Sequence, residues 1–395
     1  MTYENQIHSS LPELPLPIPK TRLKVLGLGG GGCNAVNRMI ELGIDGVEFI
    51  GANTDAQVLR NCLAPRRILL GPNTTHGQGA GGDPKIGEAA AEESLFEITD
   101  ALAGADMVFL TAGMGGGTGT GAIPVAARIA KGMDVVSIAV VSVPFSFEAG
   151  LRQQNARNGL TRLQQNTDTL ISIPNDRLLQ IAPRDLPLEL AFRLADDILR
   201  QGIQGISEIV TQPGLINVDF SHVRNLMKKG GGSLMAIGNG KGPNKALQAV
   251  EQALHHPLLD TIPIESATGI IVNIRGGKYL TFMEVSDALN YLHEKTNNQA
   301  EIIPGIIQDD NMEDRTEIIL IITGLGATAF DPMTRVRVPR AAEPARPSVT
   351  IAEAITAHEN GLDYDNSALM QENELVGAQS NLEIPAFMRR RLRQN

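Results

Sequence analysis

Two glycine-rich runs carry the clearest chemistry in this chain. Gly113-Met-Gly-Gly-Gly-Thr-Gly-Thr-Gly121 has six glycines in nine residues, together with two threonines whose hydroxyls can donate. Gly27-Leu-Gly-Gly-Gly-Gly32 has five glycines in six residues. Backbone N–H groups without side-chain cover can close on phosphate oxygens, and a helix that starts at such a turn adds a favourable dipole. The Gly27–Gly32 run matches G-x-G-x-x-G, the dinucleotide fingerprint. Asp55 stands near the place of that motif's acidic residue, so a nicotinamide-dependent oxidoreductase is one alternative. One cradle suffices for a dinucleotide, whereas two cradles on neighbouring strands suit a nucleoside triphosphate. The sequence contains no G-x-x-x-x-G-K-[ST], which excludes a P-loop ATPase.

For both runs to hold one ligand, each must join a strand to a helix. Apolar, β-branched runs predict buried strands at Leu23–Leu26, Val47–Ala52, Ile68–Leu70, Met107–Thr111, Val135–Val143 and Thr169–Ile173. Helical patterns fall between them at Asn34–Leu42, Lys85–Leu102, Ala122–Lys131 and Gly150–Gln165. This alternation predicts an α/β fold, with a parallel sheet covered on both faces and a Rossmann-like nucleotide domain. A long central helix follows, about Leu188 to Thr211, and Pro213-Gly214 ends it. A smaller α/β domain comes next: strands at Leu234–Ile237, Gly269–Ile274, Glu301–Ile307 and Glu317–Thr323, with helices at Asn244–His255 and Met283–Lys295. The expected divisions are an unstructured arm at 1–20, a nucleotide domain at 21–186, the central helix at 187–212, an assembly domain at 213–327, a polar linker at 328–380 and a terminal peptide at 381–395.

Composition narrows the function classes. The chain has 395 residues, 42% of them hydrophobic and 20% charged, which are globular values. A net charge of −10 and the absence of Trp argue against a nucleic-acid partner. No apolar run approaches the roughly 18–20 residues of a membrane helix, so direct membrane insertion is not expected. Residues 1–20 lack a basic stretch followed by an apolar one, and secretion is not expected. Two cysteines, Cys33 and Cys62, make no disulfide framework and fit a reducing cytoplasm.

Gly-Gly-Gly-Thr-Gly-Thr-Gly121 resembles the tubulin signature. With Asn53-Thr-Asp-Ala-Gln57, Pro144-Phe-Ser-Phe-Glu148, Ile173-Pro-Asn-Asp176 and Pro213-Gly-Leu-Ile-Asn-Val-Asp-Phe220, the chain resembles the tubulin/FtsZ GTPase family over about residues 22–327. The resemblance implies GTP and GDP as ligands, with Mg²⁺ held mainly through the nucleotide and no protein metal site. It implies phosphate contacts from Gly29, Gly30, Gly31, Gly32 and Asn34, and from Gly115, Gly116, Gly117, Thr118, Gly119, Thr120 and Gly121. Asn53, Asp55, Gly79, Ala80 and Gly81 fall at positions toward the γ-phosphate. Glu148 and Arg152 fall at ribose and phosphate positions. Asn175 and Asp197 fall at guanine-reading positions, and Phe192 at the stacking position.

The same resemblance implies self-assembly into head-to-tail filaments of bacterial cell division, at the cytoplasmic division site. A loop after the central helix would enter the neighbouring copy's nucleotide site; Asn217, Asp219 and His222 are its candidate catalytic residues. The family pattern has a second acidic residue where this chain has His222. An imidazole can position water or accept a proton but lacks a carboxylate's charge. Slow hydrolysis is therefore expected, and a GTP-binding paralogue that polymerises or co-polymerises with little turnover is the alternative. Arg193 and Lys228-Lys-Gly-Gly-Gly232 are further departures with no role legible in the sequence. Glu383-Ile-Pro-Ala-Phe-Met388 resembles the family's terminal peptide, which implies division adaptors and membrane-tether proteins as partners through Ile384, Pro385, Phe387 and Met388.

Overall fold

The computed structural model describes residues 21–325 apart from Ala149, 181–184, Pro213, Asn217, Gly231 and 260–263. The expected arm, linker and terminal peptide lie outside the described residues, as does Asn217.

The first half alternates strand and helix: β1 (Leu23–Leu28), α1 (Gly29–Glu41), β2 (Val47–Asn53), α2 (Ala56–Arg60), β3 (Arg66–Leu69), α3 (Pro72–Thr75), α4 (Pro84–Glu93), α5 (Leu95–Leu102), β4 (Met107–Gly113), α6 (Thr118–Gly132), β5 (Val136–Val143), α7 (Leu151–Asn166), β6 (Thr169–Pro174) and α8 (Asn175–Leu178). The second half holds α9 (Leu188–Thr211), α10 (Phe220–Lys228), β7 (Gly232–Lys241), α11 (Lys245–Leu254), β8 (Gly269–Gly276), α12 (Phe282–Lys295), β9 (Glu301–Gln308) and β10 (Arg315–Thr323). The expected helix Lys85–Leu102 is two helices. Ser94 breaks it, because its buried hydroxyl accepts the Gly71 N–H at 3.0 Å and so turns the chain.

All ten strands join one sheet in the order β3-β2-β1-β4-β5-β6-β7-β10-β8-β9. The six strands from β3 to β6 pair in parallel. β10 runs antiparallel between β7 and β8. The two halves meet where β6 and β7 pair at Leu170↔Gly232 and Ile171↔Ser233. Every residue of β1 is buried, as a parallel strand covered on both faces requires. Alternate residues feed two cores. Leu23 and Val25 pack toward α1 and α9, while Leu26 and Leu28 pack toward α4, α5 and α6. A third core sits between α11, α12 and the strands of the second half.

The 24 residues of α9 span about 36 Å. Gly202 and Gly205 let it press onto the sheet: a Cβ on either would lie 2.8 Å from Met235 Sδ or 3.0 Å from Ile319 Cδ1. Its last residue, Thr211, packs beside Gly46, just before β2 begins. The helix therefore runs from the carboxyl ends of the parallel strands to their amino ends.

Candidate functional site

A cavity of about 340 Å³ opens at the carboxyl ends of β1, β4, β5 and β6. In sheets of this kind ligands bind at that edge. Both glycine runs reach it because β1 and β4 are hydrogen-bonded neighbours. Helix α1 starts at Gly29 and α6 at Thr118, with no acidic residue in either first turn. Two helix N-termini thus meet at one cavity, and neither first turn carries a carboxylate that would repel an anion.

The glycines divide into two groups. A Cβ on Gly32 would lie 2.4 Å from the Thr111 carbonyl oxygen, and one on Gly121 would lie 2.1 Å from that of Pro84. A Cβ on Gly29 would meet the Gly119 nitrogen at 2.8 Å. These residues let backbones touch and so bring the two runs together. Gly30 and Gly116 differ: both line the cavity, and a Cβ on either would meet no protein atom within 4 Å. The space that a side chain would fill there is the space a ligand needs.

Of the sequence candidates, Gly30, Gly31, Asn34, Gly116, Gly117, Thr118, Gly119, Glu148, Arg152, Asn175 and Phe192 line this cavity. Thr120 stands behind it; its hydroxyl accepts the Gly115 N–H at 2.8 Å and holds the turn of the second run. Asn53, Asp55, Gly79, Ala80 and Gly81 form an adjoining shelf. The Gly79 N–H donates to the Thr54 carbonyl at 3.1 Å, and the Thr54 and Thr118 hydroxyls lie 2.6 Å apart. The Asp55 carboxylate caps α2 through the N–H groups of Gln57 and Val58. Among the described residues no group of three or more His, Cys, Asp or Glu is arranged to hold a metal ion.

Glu148 Oε1 accepts the Phe145 N–H at 3.0 Å, and its Oε2 pairs with Arg152 at 2.7 Å. Glu148 thus steadies a half-exposed guanidinium at the cavity mouth. Asn175 is buried, and among the described residues its Oδ1 has no hydrogen-bond partner. A buried acceptor left open carries a penalty of about 1–3 kcal/mol unless a ligand or water meets it. Phe192 meets Phe145 edge-on, with ring centroids 5.4 Å apart, and leaves its own ring exposed at the rim.

The structure corrects the placing of Asp197. That residue faces along α9, bonded to Arg200 at 2.7 Å and Gln201 at 2.6 Å, and does not line the cavity. Asp196 lines it instead, together with Phe192 and Ala195. Residues four apart share a helix face, and Asp196 is the residue four after Phe192. Burial pushes its carboxyl up to about 7. Asn34, Phe192 and Asp196 also line a second chamber of about 410 Å³ between α1 and α9, with Asn37, Arg38 and Arg193. Arg193 pairs there with Glu189 at 2.8 Å. Sequence reasoning passed over Asp196, Ser142 and Met114; helix phase could have found the first.

Asp219 and His222 lie elsewhere. Asp219 is the N-cap of α10, and its carboxylate accepts the Ser221 N–H at 2.8 Å. That backbone bond first, then the Ser221 hydroxyl and the neighbouring His222, hold its carboxyl below the usual range. Both Asp219 and His222 are exposed. Thr211 beside Gly46 anchors the chain before them. Arg224 and Lys228 anchor it after them by pairing with Asp134, which leads into β5. Lys229 adds a bond to Glu301. These anchors lie at the amino ends of the parallel strands. A strand length of roughly 20–25 Å separates that edge from the cavity, so these two residues do not serve the cavity of their own chain.

Residues 22–183 match the tubulin/FtsZ family GTPase domain, and residues 231–326 match the FtsZ family C-terminal domain. The chain is 47% identical over 313 residues to "Cell division protein FtsZ 1" of Pyrococcus furiosus, covering 79% of this chain and 83% of that protein. It is 42% identical over 381 residues to "Cell division protein FtsZ" of Azotobacter vinelandii, covering 93% and 96%. Among solved structures, an empty FtsZ dimer from M. jannaschii superposes with a TM-score of 0.75 at 43% identity, covering 78% of this chain and 89% of that one. CetZ2 from Haloferax volcanii, at 21% identity and a TM-score of 0.66, shares the fold. By its two glycine-built helix starts and by these matches, the chain belongs to the tubulin/FtsZ family of GTPases.

Proposed function

We propose that this chain is a GTP-dependent, self-assembling cytoskeletal protein of cell division, acting in the cytoplasm at the division site. Its nucleotide is hydrolysed at the junction of two head-to-tail copies. The observation that carries this is the separation of the cavity from Asp219 and His222 to opposite edges of one sheet. A surface that must meet a different surface on the next copy is heterologous, and repeating it gives a filament.

The cavity fits a guanine nucleotide. Open space at Gly30 and Gly116 takes phosphate, and Arg152 lies at the mouth for its charge. The Asn175 Oδ1 and the Asp196 carboxylate accept from the base, and Phe192 offers a ring to stack on. A carboxylate accepts from the N1 and N2 donors of guanine, a pair that adenine lacks. Mg²⁺ would be held mainly through the nucleotide, where it would neutralise phosphate charge, with the Asp55 shelf offering oxygens beside the second glycine run. In this reading residues 21–186 bind, 187–212 connect, and 213–327 complete the neighbour's site. Asp219 of one copy orients and deprotonates the attacking water at the next copy's nucleotide, and Asn217 and His222 flank it. The terminal peptide 381–395 offers Ile384, Pro385, Phe387 and Met388 to adaptor and membrane-tether proteins through the linker 328–380. Among the described residues no helix is long and apolar enough to cross a membrane.

His222 favours a second reading, in which filaments persist because turnover is slow. An exposed imidazole at the second position of the turn carries no fixed negative charge. Sedimentation with GTP, GDP and a non-hydrolysable analogue, with phosphate release followed in parallel, tests both. GTP-dependent pelleting with phosphate release supports the first reading, and pelleting with almost none supports the second. No pelleting with any of the three would end both.

A further inference from the structure

The two cysteines meet beneath the phosphate turn. Cys33 follows Gly32 in the first turns of α1, and its Sγ lies 3.9 Å from the Ala52 carbonyl oxygen of β2. Cys62 follows α2, and its Sγ occupies the space beside Gly51: a Cβ there would lie only 2.5 Å from the sulfur. Gly51 and Ala52 are consecutive and both cysteines belong to the same core, so the two sulfurs share one corner under β2. Asn37, one turn along α1 from Cys33, fixes the arrangement. Its Nδ2 donates to the Asn61 carbonyl at 3.2 Å, and its Oδ1 accepts the Leu63 N–H at 2.7 Å. The residues on either side of Cys62 are thereby clamped to the helix that carries Cys33. Both cysteines are buried, at 1% and 3% exposure.

A thiol that donates to a second sulfur stabilises the thiolate there. The Cys33 thiol, with the Ala64 backbone and Arg67 contributing, holds Cys62 below the ordinary thiol range. The thiolate is the form that reacts with oxidants.

We propose that Cys33 and Cys62 are a modification site which a peroxide converts to an intramolecular disulfide, and that this bond weakens nucleotide binding in the cradle above it. The second part rests on the guanine-nucleotide reading of the cavity. The Cys62 thiolate attacks one peroxide oxygen; an S–O bond forms, the O–O bond breaks, and the departing hydroxide takes up a proton to give water. Cys33 then loses its proton and attacks the Cys62 sulfur. The S–S bond forms, the S–O bond breaks, and a second water leaves. The two sulfurs lose two electrons and the peroxide gains them. At this burial only an oxidant as small as a peroxide can act on the pair, and a bulky thiol such as glutathione is excluded, so the pair closes on itself.

The link to the cradle is covalent and short. Cys33 lies between Gly32 and Asn34, and Asn34 lines both chambers. A bond between the two sulfurs draws the first turns of α1 toward the turn after α2, and the N–H groups of Gly30 and Gly31 move with them. Coupling between two sites of one domain is typically about 5–150-fold, and about tenfold weaker nucleotide binding is expected here.

The test uses the full chain, reduced with a phosphine, treated with hydrogen peroxide, then denatured and weighed intact. The proposal expects loss of the mass of two hydrogens, both thiols blocked, a linked Cys33–Cys62 peptide, and reversal by dithiothreitol. A fluorescent GDP analogue should bind about tenfold more weakly to the oxidised chain and recover on reduction, whereas the Cys62→Ser chain should bind equally with and without peroxide. Persisting thiols, separate sulfinic acids or disulfides between chains would overturn the site. A linked pair with unchanged affinity would overturn its coupling to the cradle. If the reduced chain binds no guanine nucleotide, the functional reading fails on its own, while the mass measurement still decides the disulfide.

Discussion

The two ends of the parallel sheet are built in opposite ways. At the carboxyl edge the cradle is complete before any ligand arrives. Glycine contacts lock its loops together, Thr120 and Glu148 steady its turns, and Gly30 and Gly116 leave open space. At the amino edge Asp219 and His222 stand exposed on the first turn of α10, firmly anchored but with no cavity of their own chain to serve. Under the proposed function, a preorganised binding site with its hydrolytic groups on the far side holds its substrate alone and turns it over in company, so that assembly controls the chemistry.

Five substitutions or conditions can break that contrast. The largest effect belongs to the amino edge. Asp219→Ala should lower GTP turnover by about 10²–10⁴, the usual worth of a positioned acid or base, while guanine-nucleotide affinity stays unchanged; a parallel loss of affinity would place Asp219 in the cradle. At the carboxyl edge, Gly116→Ala puts a methyl where phosphate sits. Each lost hydrogen bond to a charged group is worth about 1.5–3 kcal/mol, so affinity measured by calorimetry should fall roughly tenfold to a hundredfold with the melting temperature held. Gly32→Ala should do the reverse. Its Cβ would press on the Thr111 carbonyl oxygen, and overpacking of this kind destabilises by about 1–3 kcal/mol.

Asp196 sets a pH dependence. Burial raises its carboxyl to about 7, and under the proposed guanine reading the ionised form is the one that accepts both base donors. Affinity should therefore fall as pH drops below about 7, by up to tenfold per unit for one proton, until the pKa of the bound state is passed. Asp196→Asn should flatten the profile; a wild-type affinity that is level from pH 6 to 8 would count against this role. The smallest effect is expected from His222→Asp, which should raise steady-state phosphate release. No increase would mean that the imidazole serves as well as a carboxylate.

Much of this was legible in the residues, and the exceptions are instructive. The glycine runs, the strand–helix alternation and the long central helix follow from composition and period. The cavity-lining aspartate was also within reach. Four residues along a helix return to within about 40° of Phe192, whereas five leave Asp197 about 140° away. Ser94 could not be found as a helix break, because its hydrogen bond comes from Gly71, more than twenty positions away in sequence. The meeting of Cys33 and Cys62 was equally hidden: it depends on α1 and the turn after α2 packing together on the same face of β2, and on Gly51 making room. Arg193 and the lysines at 228 and 229 gain an account from their partners Glu189, Asp134 and Glu301.

The central claim, that one copy binds and the next completes the reaction, is open to a mixing measurement. The Gly116→Ala chain keeps Asp219 but binds nucleotide poorly; the Asp219→Ala chain binds nucleotide but offers no carboxylate to a neighbour. Each alone should release little phosphate from GTP. Mixed in equal amounts, they should recover turnover well above the sum of the two, because Asp219 of the first chain meets the nucleotide of the second. A mixture that releases no more phosphate than its parts would contradict the account.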